Sequence, residues 1–297
     1  MRLEEFLRRD ASDDLAKLTL AISRSCIKVW ESIPFNSGLL AAVNPSGEKQ
    51  KAIDVLSNDE FAHSLIGTGS AAQVASEEMS KPVEGTGEVS VAMDPLDGSS
   101  NVDTNNPLGS IFGFYSGRLP CSGRKLVGAL FVTYGGMVTL TASFGKGVHR
   151  FVAVRHGSEY AFEMLDSDMR MPEKAEVYGF GGLRKDWIPP VQRFVGSLEE
   201  RGLKVRYCGT FVGDYNQVLK HGGIFAYPAL RKRPRGKLRI LFETAPMAFI
   251  TERAGGYSTD GTRNLLDISP ASLPETSPAY LGSASITREL ERSVSAG

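Results

Sequence analysis

The chain has 297 residues, and its 34 Lys and Arg residues balance 34 Asp and Glu residues, so the formal net charge is zero. This length is sufficient to bury a large core in one or two domains, and the absence of net charge argues against nucleic acid and acidic membrane surfaces as partners. Three separated cysteines, Cys26, Cys121 and Cys208, show no Cys-x-x-Cys spacing, which predicts reduced thiols and a cytoplasmic setting.

The amino-terminal segment predicts an amphipathic helix. The first ten residues, MRLEEFLRRD, contain acids and no long apolar run, which argues against a signal peptide or a membrane span. Ser12 is a plausible N-cap. The apolar residues that follow it at three- and four-residue steps, a pattern typical of one helical face, are Leu15, Leu18, Ile22, Cys26 and Val29.

A second helix is predicted after a polar stretch that runs from Pro34 to Gln50. The sequence DVLSNDEFAHSLIG begins as a turn and continues with helical character, and either Ser57 or Asn58 is the expected N-cap. Two acids, Asp54 and Asp59, flank this expected start and are therefore candidates for a site.

From Gln73 the sequence changes to short β-rich runs that predict a large sheet. These runs are QVAS, VSVAM, SIFGFY, KLVGALFVTY, MVTLTASF and VHRFVAV. A polar stretch over 166–172 separates them from a second half, in which the strands EVYGF, KVRYC and GGIFAYP alternate with helices near 191–201, 213–221 and 245–254. We therefore predict an α/β protein, an α+β layered sandwich, with halves at 1–168 and 169–297.

Acidic residues collect where the predicted strands end, as sites do in α/β proteins. Asp94 and Asp97 follow the run VSVAM, Glu77 and Glu78 follow QVAS, and Glu243 stands between an apolar strand and a helix. Like charges that are buried together require a cation or protons. Carboxylate oxygens are hard ligands, and these acidic motifs contain no histidine. The pattern therefore favours two or more Mg²⁺ or Mn²⁺ ions that hold a phosphate and activate water.

The turn after Asp97 supplies the other half of such a site. Gly98, Ser99 and Ser100 can direct backbone amides and hydroxyls at phosphate oxygens. Each motif alone has an ordinary interpretation: Asp-Pro and Asp-Gly form turns, adjacent glutamates are commonly solvated, and a glutamate often begins a helix. Their joint occurrence favours a metal and phosphate site.

The motifs resemble those of the class I fructose-1,6-bisphosphatases, a family within the metal-dependent, lithium-sensitive sugar phosphatases. The segments that carry the resemblance are DPLDGSSN, SEE, DVLSND, GSIFGFY, RYCGTFVGDYNQVL, GGIFAYP, GKLRILFETAPMAF and ERAGG. The resemblance implies a two-half αβαβα sugar-phosphatase fold. It also implies Mg²⁺-dependent hydrolysis of the 1-phosphate of D-fructose 1,6-bisphosphate, with Mn²⁺ as an alternative ion, in a cytoplasmic homotetramer.

The resemblance further implies a role for each candidate residue. The implied metal ligands are Glu77, Asp94, Asp97, Glu243 and the carbonyl group of Leu96. The residues implied around the attacking water are Asp54, Asp59 and Glu78. The residues implied to hold the 1-phosphate are Gly98, Ser99 and Arg239. Those implied to contact the sugar and the distal phosphate are Tyr207, Tyr227, Lys237 and, from a neighbouring subunit, Arg206.

Two departures from the family pattern concern specificity. The segment FGGLRKD places Phe180 and Leu183 where the family has an Asn and a Tyr that contact the distal phosphate, and Arg184 and Lys185 are candidates for replacement charge. At a second place, EV at 88–89 stands where AMP-regulated members have Lys and Tyr, which predicts no AMP inhibition at that site.

Three alternative interpretations stay open. Sedoheptulose-1,7-bisphosphatase activity, alone or as a second activity, is the nearest. A non-catalytic sugar-phosphate-binding protein is disfavoured by the complete set of acids. The basic run RKRPRGK indicates a solvated loop beside the phosphate pocket rather than a nucleic-acid interface, because nucleic-acid binders usually have a wider basic surface.

Overall fold

The computed structural model describes residues 1–36, 38–44 and 49–296, and within these ranges helices alternate with sheets in five layers. The helices are α1 (Leu3–Asp10), α2 (Asp13–Ser32), α3 (Ala52–Gly67), α4 (Pro189–Glu200), α5 (Phe211–His221), α6 (Ala245–Arg253) and α7 (Ala284–Ser295). The strands of the first half are β1 (Leu39–Val43), β2 (Lys49–Lys51), β3 (Ala71–Ser76), β4 (Val83–Glu84), β5 (Val89–Asp97), β6 (Leu108–Ser116), β7 (Leu126–Tyr134), β8 (Val138–Ser143), β9 (His149–His156) and β10 (Glu159–Asp166). Those of the second half are β11 (Val177–Phe180), β12 (Lys204–Val205), β13 (Gly223–Tyr227), β14 (Leu238–Arg239), β15 (Tyr257–Thr259), β16 (Thr276–Ser277) and β17 (Ala279–Gly282).

The larger sheet has eight strands in the order β10-β9-β8-β7-β6-β5-β3-β4. Strands β3 and β5 are parallel, and the other neighbours are antiparallel. Successive residues of β6 face opposite sides, so Ile111 packs towards α5 and α6 whereas Phe112 packs towards α1, α2 and α3. Because both faces of the central strands are covered, β5, β6 and β7 are largely apolar runs, as the sequence predicts.

The smaller sheet has five strands in the order β12-β11-β13-β17-β15. Its inner face packs on α5, where the rings of Phe211 and Phe225 stack with their centroids 4.6 Å apart. Its outer face packs on α4 and α7 through a cluster that includes Ile224 and Tyr280. The layers therefore run α1–α3, large sheet, α5–α6, small sheet, α4 and α7, which confirms the αβαβα fold class.

The first helices differ from the sequence prediction in one respect. Ser12 caps α2 as expected, since its hydroxyl oxygen accepts the Leu15 N–H at 3.4 Å. The prediction that Ser57 or Asn58 caps the next helix was wrong, because α3 begins at Ala52. The carboxylate of Asp54 accepts the Lys51 N–H at 2.7 Å and caps the helix from its first turn. This cap places Asp54 at the end of α3 that faces the site.

Three further features of the chain are its cysteines, the character of its helices and its division into halves. The three cysteines are free thiols. In the described ranges, none of the helices has the length and apolar character needed to cross a bilayer. The division into halves at 1–168 and 169–297 stays a prediction, since one core cluster contains side chains of both sheets.

Candidate active site

A cavity of about 300 Å³ lies where β3 and β5 end beside the start of α5. The residues from the sequence prediction that line it are Asp54, Glu77, Glu78, Asp94, Leu96, Asp97, Gly98, Ser99, Ser100, Tyr207, Tyr227, Lys237, Arg239 and Glu243. The fold thus brings together acids from four separate stretches of the chain and the turn expected to hold a phosphate.

A β-bulge explains how Asp94 and Asp97 both line the cavity. Residues three apart in a regular strand point to opposite faces of the sheet. In the pairing of β5 with β6, Asp94 lies opposite Ile111 and Asp97 opposite Gly109, so two residues of β5 face one residue of β6. That residue, Ser110, donates a 2.8 Å hydrogen bond to the carbonyl of Pro95. The extra residue reverses the alternation and brings the second carboxylate to the same side.

The start of α5 holds Asp97 in place. Val212, near the start of the helix, donates its N–H to Oδ2 of Asp97 at 2.8 Å, and Thr210 caps the helix by accepting the Gly213 N–H at 3.1 Å. Gly98 adopts φ +78°, and a Cβ there would lie 2.0 Å from Cγ2 of Thr210, so this close approach requires glycine. Burial raises the pKa of Asp97 to about 7, against the lowering effect of the helix amides.

The third acidic position, Glu243, lies in a one-turn π-helix, Ile240–Thr244, that directly follows β14. Carboxylate oxygens of Glu77, Asp94 and Glu243 lie within 4.8 Å of one another. Burial raises the pKa of Asp94 well above its usual range, and repulsion from the neighbouring carboxylates adds to this effect. Ionisation of all three carboxylates is therefore unfavourable unless a positive charge compensates them.

Arg239 lies against this cluster. Its guanidinium Nη1 is 2.7 Å from Oε2 of Glu77, and its backbone N–H donates to Oε2 of Glu243 at 2.6 Å. Only 8% of the Arg239 side chain is exposed, so this cation is held at the wall of the cavity. A guanidinium in such a position can also bind a phosphate oxygen.

Asp54 and Glu78 form a second acidic group on the side of α3. Burial raises the pKa of Asp54 to about 6, and repulsion from Glu78 contributes, while the Lys51 amide opposes the rise. Glu78 accepts hydrogen bonds from Nε2 of Gln50 at 2.5 Å and from Nδ2 of Asn44 at 3.3 Å. Asp54 is therefore positioned by the first turn of α3, and Glu78 by the side chains of Gln50 and Asn44.

The donor set fits a divalent cation site. Three largely buried carboxylates converge on one volume, and the pKa of Asp94 is raised by burial and by repulsion from its neighbours, an effect that a bound cation would offset. Oxygen donors without thiolate or imidazole suit a hard cation. The cluster of Glu77, Asp94 and Glu243 is thus a candidate metal centre.

Tyr207, Tyr227 and Lys237 also line the cavity. The Lys237 ammonium lies 5.9 Å from the centroid of the Tyr227 ring. Burial raises the pKa of Tyr207 to about 12, so its phenol is neutral and can donate a hydrogen bond. These three residues offer one cation and two phenols to a polar ligand.

Two expected site residues lie outside the cavity among the described residues. Asp59 is exposed on α3, where Nδ2 of Asn58 donates to it at 3.1 Å. Arg206 is also exposed, and its guanidinium donates to the Val205 carbonyl at 2.9 Å. Their assigned roles stay predictions.

Phe180, the last residue of β11, and Leu183, in the loop that follows, also lie outside the cavity lining. Phe180 is buried in the outer core, with its ring centroid 5.7 Å from that of Trp187. Leu183 is 61% exposed. Arg184 pairs with Glu199 at 2.6 Å, so its charge is engaged elsewhere.

Sequence reasoning missed several residues that shape the site. Asp214 accepts the backbone N–H groups of Cys208 and Gly209 at 2.6 and 3.1 Å, and so orders the loop before α5. Thr210 was detectable, because a threonine before a helix is an N-cap signal. Asn44 stands in a polar stretch without periodicity, and no sequence signal connected it to Glu78.

Comparison with known proteins places both halves in one family. Residues 4–163 match the family model described as fructose-1-6-bisphosphatase, N-terminal domain, and residues 171–295 match the model of its C-terminal domain. The chain is 43% identical to a class 1 fructose-1,6-bisphosphatase of Geobacter sulfurreducens over 281 residues, covering 92% of this chain and 89% of the relative. It is 41% identical to a homologous protein of Haloarcula marismortui, covering 85% of each chain.

The fold agrees with solved structures of a fructose-1,6-bisphosphatase. The holo form of Leishmania major fructose-1,6-bisphosphatase superposes with a TM-score of 0.94 at 28% identity and covers 100% of this chain and 99% of that one. The apo form of the same protein superposes with a TM-score of 0.87 at 27% identity, with the same coverage of both chains.

Proposed function

Because this chain belongs to the class 1 fructose-1,6-bisphosphatase family, we propose that it hydrolyses the 1-phosphate of D-fructose 1,6-bisphosphate to give fructose 6-phosphate and inorganic phosphate. The observation that carries this proposal is the convergence of Glu77, Asp94 and Glu243 beside the turn at Gly98. An acidic cluster next to an anion-binding turn suits a metal-dependent phosphatase.

The metal ligands in this proposal are Glu77, Asp94, Asp97, Glu243 and the carbonyl of Leu96, and we propose Mg²⁺ as the ion, with Mn²⁺ as the alternative. When bound, such ions neutralise charge on phosphate oxygens and lower the pKa of water. The buried carboxylates supply oxygen donors and the charge that attracts a divalent cation.

The chain's own groups then position the phosphate. In this proposal the phosphate ester is bound by the backbone amides at Gly98 and Ser99, the hydroxyl of Ser100 and the Arg239 guanidinium, and all four residues line the cavity. Hydrogen-bond donors fixed in advance cost no reorganisation as charge develops in the transition state. The distal end of the sugar would meet Tyr207, Tyr227 and Lys237.

Proton transfer is assigned to the acidic group on the α3 side. Water adds to phosphorus while the bond between phosphorus and the sugar O1 breaks, so one proton leaves the water and one reaches the departing oxygen. Asp54 has a pKa of about 6, which is suited to accepting a proton near neutral pH. Glu78, whose carboxylate accepts hydrogen bonds from Gln50 and Asn44, is the second candidate for this proton transfer. The role of Asp59 near the attacking water stays a prediction.

We also propose a cytoplasmic homotetramer, as the family resemblance implies. Arg206 is exposed and outside the cavity of its own chain, a position from which it can reach a neighbouring subunit. Sedimentation of wild-type protein and of Arg206→Ala tests the assembly. A monomeric wild-type protein with full activity would overturn the assignment of Arg206.

Phosphate release from fructose 1,6-bisphosphate tests the activity. We expect turnover with Mg²⁺, loss of turnover with EDTA, and recovery when Mg²⁺ or Mn²⁺ is added in excess. Binding of the bisphosphate without turnover would support a non-catalytic binding protein instead. Preferential hydrolysis of inositol monophosphate would contradict the assigned substrate.

A further inference from the structure

A strongly basic loop, Pro228 to Gly236, joins two residues that line the cavity, Tyr227 and Lys237. Within it four cations are exposed, and three of them, Arg231, Lys232 and Arg233, are consecutive. In the part of the chain that the structure describes, none of these three side chains makes an ion pair. The function derived above leaves these cations unused.

The loop has a defined conformation. Leu230 and Arg233 exchange two backbone hydrogen bonds, of 3.1 and 2.9 Å, so Arg231 and Lys232 occupy the tip of a two-residue turn. A second turn follows, in which the Gly236 N–H donates to the Arg233 carbonyl at 3.0 Å. The three cations are therefore presented by backbone that is fixed at both ends.

The tip is attached to the segment after β11. Arg231 donates its N–H to the Asp186 carbonyl at 2.8 Å, and Leu230 forms a β-bridge with Trp187. This contact places the tip beside exposed Lys185. We call Lys185, Arg231, Lys232 and Arg233 the basic rim. None of the four lines the cavity.

The basic rim and the wall of the cavity differ in charge. Two cations of the wall, Lys237 and Arg239, stand against its carboxylates, which are Asp54, Glu77, Glu78, Asp94, Asp97, Asp214 and Glu243. Since the whole chain has no net charge, attraction of an anion from solution must be local. Bound divalent ions offset part of the wall's charge, and the rim adds positive charge outside it.

We propose that the basic rim captures sugar bisphosphates electrostatically and increases their rate of entry, and that it favours them over sugar monophosphates. This inference rests on the proposed function. Because the rim lies outside the cavity wall, it acts at long range through the extra charge of the distal phosphate. Steering of this kind is sensitive to ionic strength, since the screening length falls from about 30 Å at 0.01 M to about 8 Å at 0.15 M salt.

The test compares two triple variants with equal loss of charge. The rim variant is Arg231→Gln, Lys232→Gln and Arg233→Gln. The control variant is Arg8→Gln, Lys17→Gln and Arg24→Gln, which removes exposed cations from α1 and α2 in the outermost helical layer. For each protein, kcat and KM are measured with Mg²⁺ on fructose 1,6-bisphosphate and on fructose 1-phosphate across roughly 0.01 to 0.15 M salt.

We expect the rim variant to lose about five- to tenfold in kcat/KM for the bisphosphate at low salt, with kcat unchanged. The loss should shrink as salt rises and should be smaller for the monophosphate, while the control variant behaves as wild type. Equal salt dependence of kcat/KM in the rim and control variants would overturn the inference. A loss that persists at high salt would also overturn it, because it would indicate direct contact with substrate. Absence of turnover by wild-type protein would instead contradict the proposed function.

Discussion

Val212 donates its backbone N–H to Oδ2 of Asp97 at 2.8 Å, and this bond joins the start of α5 to the end of β5. The hydrogen bond and the partial positive charge of the helix start favour the carboxylate, whereas burial disfavours it. Burial has the larger effect, since the pKa of Asp97 is raised to about 7. The site thus holds an acid whose ionisation is costly until a cation approaches.

Substitution Asp97→Asn should abolish turnover and leave the fold intact. The amide oxygen of Asn can still accept the Val212 N–H, but it supplies no negative charge to a cation. We expect kcat to fall at least about 100-fold with saturating Mg²⁺, which steady-state phosphate release would measure. Without divalent ions, the melting temperature at pH 8 should rise by a few degrees, because a costly buried charge is removed.

Asp103→Asn is the matched control for Asp97→Asn. Asp103 pairs with Lys51 at 2.7 Å near the same turn, but it does not line the cavity. We expect this variant to keep most of its kcat. Near wild-type turnover of Asp97→Asn at saturating Mg²⁺ would exclude Asp97 as a metal ligand.

Stability of the metal-free protein should fall as pH rises from about 4 to about 8. Asp97 and Asp54 have folded-state pKa values of about 7 and about 6, above the unfolded value of 3.8, so the folded protein binds more protons in this window. Proton release on unfolding then makes the free energy of unfolding decrease with pH. Thermal unfolding in EDTA at several pH values measures this dependence.

The same titration with saturating Mg²⁺ supplies the comparison. A bound cation favours the ionised carboxylates, so the decrease in stability should be reduced or reversed. The double variant Asp54→Asn/Asp97→Asn should show a flatter profile in EDTA than wild type. A wild-type profile in EDTA that rises over this range would show that other groups control the stability.

Gly98→Ala should destabilise the protein and weaken catalysis. The new methyl group would meet Cγ2 of Thr210 at 2.0 Å, and the residue would hold φ at +78°. We expect a loss of about 1 to 3 kcal/mol in the free energy of unfolding, measured by urea denaturation. Adding Thr210→Ser removes the clashing methyl but keeps the capping hydroxyl, so it should recover part of the loss.

Gly196→Ala is the control for that prediction. Gly196 lies inside α4, and nothing stands within 4 Å of a Cβ built there. Alanine should therefore stabilise the helix by roughly 0.5 to 1 kcal/mol. Equal effects of the two glycine substitutions would contradict the steric argument for Gly98.

The sequence predicted the layers of the fold well because its apolar patterns are strong and regular. The runs that became β5, β6 and β7 are buried on both faces, and α2 has both a cap and an apolar stripe. The start of α3 was misplaced because Ser57 and Asn58 are typical caps, whereas the observed cap uses Asp54 from inside the helix. Local residue preference could not distinguish these two possibilities.

The sequence identified most of the acids that line the cavity but not how they are arranged, and their roles stay predictions. The acids at strand ends were visible, yet the bulge that turns Asp94 and Asp97 to one side depends on pairing with Ser110 of another strand. Contacts of Asp97 with α5, and of Glu78 with Asn44 and Gln50, likewise join distant parts of the chain. Such contacts arise from tertiary packing and leave no local sequence pattern.

The residues missing from the cavity lining bear on the length of substrate that the protein accepts. Phe180 and Leu183 stand where the family resemblance places two polar contacts to the distal phosphate, and the structure keeps both side chains out of the cavity lining. Lys237 and the phenols of Tyr207 and Tyr227, which the resemblance also assigns to the distal phosphate, do line the cavity. Loss of neutral hydrogen bonds reduces discrimination, whereas the remaining cation keeps affinity for a phosphate.

We therefore expect fructose 1,6-bisphosphate to be the better substrate, with sedoheptulose 1,7-bisphosphate, one carbon longer, within about tenfold in kcat/KM. Inositol monophosphate, which has no distal phosphate, should be used poorly. Initial rates of phosphate release from the three compounds, at the same Mg²⁺ concentration and ionic strength, give the comparison. Lys237→Met should reduce kcat/KM for both bisphosphates and affect the monophosphate least. A strong preference for the seven-carbon sugar would reassign the main activity to sedoheptulose 1,7-bisphosphate hydrolysis, since the distal end of the cavity would then select for length.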